Sequence, residues 1–106
     1  LSAFYEDPKK HALIAQLEFF NGRLERQHEI DRARGIVLED RTIFEDYHIF
    51  GKAQKIMGHM SDIEFEVYQH NYNLMMQKID EPTLLVYLRA DVNTTVERIK
   101  KTRQGL

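Results

Sequence analysis

The chain has 106 residues, 42% hydrophobic and 30% charged, which suits one small globular domain and excludes a disordered chain. Its formal net charge of −2 argues against a general binder of nucleic acid or membrane surfaces, which would usually be basic. The absence of cysteine removes disulfides, thiolate metal sites and cysteine nucleophiles, and fits a reducing cytoplasmic setting. Leu1-Ser2-Ala3-Phe4 has neither the basic nor the apolar region of a signal peptide, and no later run approaches bilayer length. The first residue is not Met and the opening reads like the interior of a domain, so a fragment is expected.

In chain order, Asp7-Pro8 predicts a helix start, with Asp capping free N–H groups and Pro at the first helical position. The helical pattern runs to about Arg34, where Gly35 stops it. Leu13, Leu17, Phe20 and Leu24 share one face. Ala12, Gln16, Phe19 and Arg23 form a neighbouring stripe at its edge, from which Gln and Arg can reach a cleft. Gly35-Ile36-Val37-Leu38-Glu39 reads as a short buried strand, followed at its carboxyl end by Asp40-Arg41-Thr42. Ile43 to about Met57 is helical and Gly58 breaks it. Ser61 or Asp62 caps the next helix, to about Ile79. In it Phe65, Tyr68, Tyr72, Met75 and Ile79 follow heptad-like spacing, while Ile63, Val67 and Leu74 form a second apolar side, a pattern usual for buried helices. Glu81-Pro82 marks a turn, Thr83 to Leu88 reads as a second buried strand, and Asp91 caps a last helix to about Arg103. This order implies an α/β class with a parallel sheet.

Ligands of open parallel sheets bind beyond the carboxyl ends of the strands, where Asp40 and Arg41 fall. An acid beside an arginine suits phosphoryl transfer: the carboxylate helps hold Mg²⁺ and the guanidinium neutralises phosphoryl charge. By position alone the dipeptide also fits a structural ion pair or a helix cap. Asp46 lies near Ile43 and one turn from Phe50; pointing inward, it needs a partner or a ligand. Gln16 and Arg23 alone read as solvent-facing, and Tyr5 as a packing residue. His11, His28, His48, His59 and His70 include no i, i+4 pair of the helical zinc kind and read as surface or packing residues. The basic run Arg98, Lys100, Lys101 and Arg103 suits a solvated helix face or a phosphate-facing lid.

Three segments together resemble the deoxynucleoside kinase family. The first is Phe4-Tyr5-Glu6-Asp7-Pro8-Lys9-Lys10-His11-Ala12 with Gln16 and Arg23; the family usually has Trp at the place of His11. The second is Glu39-Asp40-Arg41-Thr42-Ile43-Phe44-Glu45-Asp46-Tyr47-His48-Ile49-Phe50. The third runs from Leu85-Val86-Tyr87-Leu88-Arg89-Ala90 through Glu97-Arg98-Ile99. The resemblance implies transfer of the ATP γ-phosphoryl group to the 5′-hydroxyl of a deoxynucleoside, with ATP and Mg²⁺ as cofactors. It also implies roles. Gln16 would pair with the nucleobase, Tyr5 with the sugar 3′-hydroxyl, and Phe19 would shape the base pocket. Arg23 and Asp46 would form a charged pair at its base end. Arg41 would sit at the 5′-oxygen, Asp40 would organise Mg²⁺, and Arg98 would approach the ATP phosphates. In the family an Arg–Asp pair goes with deoxyadenosine, deoxyguanosine or deoxycytidine, whereas thymidine-using relatives carry apolar residues there; a purine deoxynucleoside is therefore expected, with deoxycytidine as the further option.

The implied fold is a three-layer P-loop kinase-type parallel sheet flanked by helices. Residues 1–106 would be a single partial domain, its middle and C-terminal part, mostly helical with two strands. The phosphate loop Gly-x-x-x-x-Gly-Lys-Ser/Thr and the upstream acidic motif carrying the general base are absent from the sequence, as is the central strand between the two strands present. The segment alone is accordingly expected to be inactive and not to fold stably. Lys101 to Leu106 departs from the family's Arg-x-Gly-Arg lid. The family's homodimers through long helices make a dimer the expected assembly. Two other readings remain: a thymidylate-type nucleoside monophosphate kinase, disfavoured by the Tyr5-to-Arg23 block, and a non-catalytic helical interaction module presenting the Phe65-to-Ile79 face.

Overall fold

The structure, a computed structural model, describes residues 2–103; Leu1 and Gln104-Gly105-Leu106, the end of the expected lid segment, lie outside them. The helices are α1 (Ser2–Glu6), α2 (Pro8–Arg32), α3 (Ile43–Glu45), α4 (Lys52–Ile56), α5 (Asp62–Met76) and α6 (Val92–Thr102), with a π-helical segment, Asp46–Gly51, joining α3 to α4.

Side-chain caps set most of these ends. The Asp7 carboxylate accepts from the Lys10 N–H at 3.4 Å, with Pro8 in the first position of α2. α2 stops at Arg32, two residues before the expected end, because Ala33 turns to extended backbone; Gly35 follows at φ 92°. Thr42 and Ser61 each form a reciprocal capping box, with Glu45 and Glu64. Burial alone would raise the Glu45 carboxyl, but hydrogen bonds from the Thr42 side chain and backbone outweigh it and hold that carboxyl below its ordinary range. The Asp91 carboxylate starts α6 by accepting from the Thr94 N–H at 2.7 Å. Gly58, at φ 78°, breaks the chain after α4 as expected, whereas α5 ends at Met76 rather than Ile79. The short α1 was not among the sequence expectations.

The core sits between α2, the π segment and α5. Phe20 and Tyr68 stack at 4.8 Å between centroids and Tyr47 stacks on Tyr72 at 3.9 Å. Each such pair contributes about 0.5–1.5 kcal/mol beyond its buried area. The heptad-spaced face of α5 supplies Tyr68 and Tyr72, flanked by half-buried Phe65 and Met75 and, just past the helix end, Ile79. The second apolar side of that helix is not buried: Ile63, Val67 and Leu74 are all exposed, because α5 meets its neighbours through the tyrosine side.

At Gly51 the π segment lies directly against Tyr68 of α5. The Tyr68 hydroxyl donates to the Asp46 carbonyl at 3.4 Å, and burial, with help from the Asp46 charge, raises its pKa. A Cβ at Gly51 would lie 2.8 Å from Tyr68 Cε1 and Cζ and closer still to the hydroxyl. Tyr68 is fully buried, so its ring has nowhere to swing. Gly51→Ala is expected to lower stability by about 2 kcal/mol in urea unfolding of the full-length protein. Gly22→Ala, whose Cβ would meet nothing within 4 Å, is the control and should stabilise the helix slightly. An unmoved midpoint for Gly51→Ala would show that the ring yields.

The expected sheet is the main correction. Among the described residues neither Gly35–Glu39 nor Thr83–Leu88 forms a strand. Ile36 and Leu38 are 94% and 92% exposed, and Leu84, Leu85, Val86, Tyr87 and Leu88 are exposed as well. A strand exists only as part of a hydrogen-bonded ladder. These two apolar segments have composition suited to a sheet but no partner among the described residues, so they run as unpaired connections. What is observed of the expected α/β architecture is its helical layer.

Candidate functional site

A hollow of about 670 Å³ opens beside the core between α1, α2 and the stretch from Asp40 to Gln54. That volume lies within the range of small-molecule sites. α2 lends it Gln16, Phe19, Gly22, Arg23 and Arg26, whose spacings of three and four keep them on one helical face. α1 lends Phe4 and Tyr5. The loop before α3 lends Asp40 and Arg41, and the following helical stretch adds Asp46, Phe50 and Gln54, four residues apart.

The hollow therefore gathers seven of the eight residues singled out from sequence: Tyr5, Gln16, Phe19, Arg23, Asp40, Arg41 and Asp46. Arg98 is not among its lining residues; it lies exposed on α6, which buries none of its side chains. A second hollow of about 440 Å³, beside Ile30 and Ala33 and the unpaired Val37–Leu38 segment, includes only Asp40 of the eight.

The Arg23–Asp46 pair organises the site. Arg23 Nε donates to Asp46 Oδ2 at 2.7 Å and Nη2 donates to Oδ1 at 3.4 Å, a forked arrangement that fixes both planes. Both side chains are largely removed from solvent, at 14% and 9% exposure. The hydrogen bond to Asp46 raises the Arg23 pKa against the opposing effect of burial, and the Asp46, Glu39 and Glu45 charges add to it. The third arm of the guanidinium, Nη1, donates to the Arg41 carbonyl at 3.0 Å.

That last bond bears on Arg41, whose φ of 61° places it in the left-handed region that L side chains rarely adopt. Such a backbone costs on the order of 1 kcal/mol and persists where neighbours hold it. Arg23 grips its carbonyl, the Thr42–Glu45 capping box fixes the next turn, and its guanidinium lies 5.0 Å over the Phe50 ring. Arg41 otherwise has no carboxylate partner among the described residues, so its charge stays available to an anion at the rim.

Gln16 departs from its expected place at the edge of the buried face. It is 3% exposed, and its side-chain oxygen has no hydrogen-bond partner among the described residues. An orphaned buried acceptor costs roughly 1–3 kcal/mol, and this one belongs to a residue lining the hollow. Sequence reading left Phe4, Gly22, Arg26, Phe50 and Gln54 unassigned. Their signal was spacing: Arg26 follows Arg23 by three, and Phe50 and Gln54 follow Asp46 by four and eight.

Among the described residues no group of three or more His, Asp or Glu is placed to hold a metal ion. Asp40 contributes one exposed carboxylate free of ion pairs there, which suits a Mg²⁺ carried mainly by phosphate and water oxygens. No helix among the described residues is long and apolar enough to cross a membrane.

Residues 1–105 match the family model for deoxynucleoside kinase. Among curated proteins the chain is 34% identical over 101 residues to a deoxyadenosine kinase of Dictyostelium discoideum, covering 94% of this chain and 40% of that protein. It is 30% identical over 103 residues to a deoxyadenosine/deoxycytidine kinase of Bacillus subtilis, covering 95% and 48%. It is 33% identical over 108 residues to a deoxyguanosine kinase of Lactobacillus acidophilus, covering 95% and 46%. The chain thus spans less than half the length of these relatives.

Proposed function

The chain belongs to the deoxynucleoside kinase family, and from that premise we propose that it forms the acceptor-binding part of an enzyme that phosphorylates the 5′-hydroxyl of a deoxynucleoside. The observation that carries this reading is the meeting of Gln16, whose buried oxygen has no partner among the described residues, an Arg23–Asp46 fork, and Arg41, which has no carboxylate partner among them, around one nucleoside-sized hollow.

In this reading the hollow has two ends. Gln16 offers a nucleobase a donor and an acceptor on one amide, with the acceptor buried. Phe19 and Phe50 supply apolar surface to the base. The Arg23–Asp46 pair closes the base end, favouring amino- or oxo-substituted purines and cytosine over the thymine methyl. Tyr5, at the α1 side, takes the sugar 3′-hydroxyl. Arg41 stands at the other end for the 5′-oxygen and the phosphoryl group; its charge offsets charge developing on the phosphoryl oxygens. The family uses ATP as phosphoryl donor, and Asp40 is the residue here that would hold the accompanying Mg²⁺, which when bound neutralises phosphate charge. Arg98 would approach the ATP phosphates from a lid.

Residues 1–106 are proposed to be part of one domain, with the segments at Gly35 and Thr83 paired into a P-loop kinase sheet by strands beyond this chain. Dimerisation through the long helices, with Ile63, Val67 and Leu74 available, belongs to the same proposal, as does action in the cytoplasm. Among substrates we favour deoxyadenosine or deoxyguanosine, then deoxycytidine. The test is phosphoryl transfer from ATP by the full-length protein, offered deoxynucleosides and deoxynucleoside monophosphates side by side. Conversion of purine deoxynucleosides to 5′-monophosphates is expected. Use of the monophosphates alone would replace the assignment with a thymidylate-type kinase.

A further inference from the structure

Gln54 lines the same hollow as Gln16, yet nothing in the sequence singled it out. It follows Phe50 by one turn and Asp46 by two, so all three belong to one lining face of the π segment and α4. Its side chain is not left to rotate freely. The side-chain oxygen lies 2.7 Å from His59 Nδ1 in a part-buried contact, and the His59 backbone N–H donates to the Gln54 carbonyl at 2.9 Å. His59 sits directly after Gly58, whose left-handed φ of 78° folds the chain back so that this histidine faces α4.

The consequence is directional. An amide whose oxygen accepts from an imidazole N–H must present its NH₂ elsewhere. The Gln54 side-chain nitrogen has no partner among the described residues. The residues lining the hollow then include two amide groups of opposite kind with no protein partner among the described residues, a buried acceptor on Gln16 Oε1 and a donor, Nε2, on the half-buried Gln54. Nucleobases differ in where they place acceptors and donors along their edges. A fixed donor therefore discriminates among them, since a base lacking an acceptor there leaves the donor unpaired.

We propose that Gln54 is a specificity-determining residue that donates from Nε2 to an acceptor atom of the bound nucleobase, with His59 as the positioning residue that fixes the amide's orientation. This rests on the deoxynucleoside reading of the hollow. His59 touches Gln54 and not the substrate, so its influence travels through the amide alone.

The test uses the full-length protein and compares kcat/KM for deoxyadenosine, deoxyguanosine and deoxycytidine. Gln54→Leu removes the donor at similar volume, with Gln54→Met as a second removal should the leucine variant fold poorly. Loss of one substrate hydrogen bond is expected to change the ratio between the best and second-best deoxynucleoside about tenfold, mainly through KM. His59→Phe should move the same ratio in the same direction by less. In the Gln54→Leu background it should move it no further, because coupled residues are not additive. If the unaltered protein phosphorylates no deoxynucleoside, the function proposed for the hollow fails. If it does, and the Gln54 variants keep the base ratio within twofold or slow every substrate equally, the role of Gln54 fails while the function stands. A His59→Phe effect that adds fully to Gln54→Leu would remove His59 from the account.

Discussion

Gln16→Leu is expected to make the protein more stable and nearly useless to a deoxynucleoside. The Gln16 oxygen is buried and has no hydrogen-bond partner among the described residues, so the fold carries the desolvation cost of that acceptor. Leucine fills a similar volume and has no polar atom to satisfy. Relief of the orphaned group should raise unfolding free energy by about 1 kcal/mol. The same change removes the amide proposed to pair with the base, and the base edge would then meet hydrocarbon. A site built to hydrogen-bond its substrate discriminates strongly against loss of that bond, and a fall of about a hundredfold in kcat/KM is expected. Opposite signs for stability and activity are characteristic of residues kept for binding rather than packing. Urea unfolding and steady-state kinetics on the same variant check both halves. A less stable variant with unchanged kinetics would make Gln16 a core residue and nothing more.

The second large effect is expected at Asp46. Asp46→Ala leaves Arg23 largely buried with its principal partner gone, while Glu39 stands 4.0 Å from Nη1. Removing one member of a buried pair is costly, and a loss of about 3 kcal/mol is expected. The damage should not stay local, because Arg23 also holds the Arg41 carbonyl against its left-handed backbone. Once the fork is gone, Arg41 is free to leave its position over Phe50. The expected kinetic outcome is a fall in kcat as well as a rise in KM, with kcat/KM down on the order of a hundredfold. Asp46→Asn keeps one acceptor for Arg23 Nε but sets an NH₂ against Nη2, and should lose less stability and kcat than Asp46→Ala. Because the charged pair is proposed to stand against the thymine methyl, Asp46→Ala should also narrow the gap between purine deoxynucleosides and thymidine. Normal kcat with only a raised KM would show that Arg23 does not reach Arg41 functionally.

The contrast between what could and could not be read from the amino acids follows the range of the interactions. Caps are local: Asp7, Ser61 and Asp91 sit within three residues of the N–H groups they satisfy, and each starts a helix as expected. Periodicity was equally readable on α5, where the spacing of Tyr68 and Tyr72 places both in the core. The two expected strands are not observed among the described residues because a ladder is a property of partners, and Ile36 and Leu85 carry no record of where theirs lie. Seven of the eight residues that the resemblance singled out line one hollow, but the geometry in which they meet was not readable. Nothing in the spacing of Gln16 distinguished the edge of a face from a nearly sealed position. The π segment also escaped, since Gly51 reads as an ordinary helical glycine until Tyr68 is seen against it. The spacing of Gln54 from Asp46 was readable but the orientation of its amide was not, because that depends on His59, reached only after the turn at Gly58.

The central claim is that one hollow receives the whole acceptor, base toward Gln16 and 5′-carbon toward Arg41. A crystal structure of the full-length protein soaked with deoxyadenosine addresses it directly. The account predicts the base edge within hydrogen-bonding distance of the Gln16 amide and the sugar 5′-oxygen nearest the Arg41 guanidinium. Deoxyadenosine bound elsewhere, with the Gln16 oxygen still lacking a partner, would contradict it.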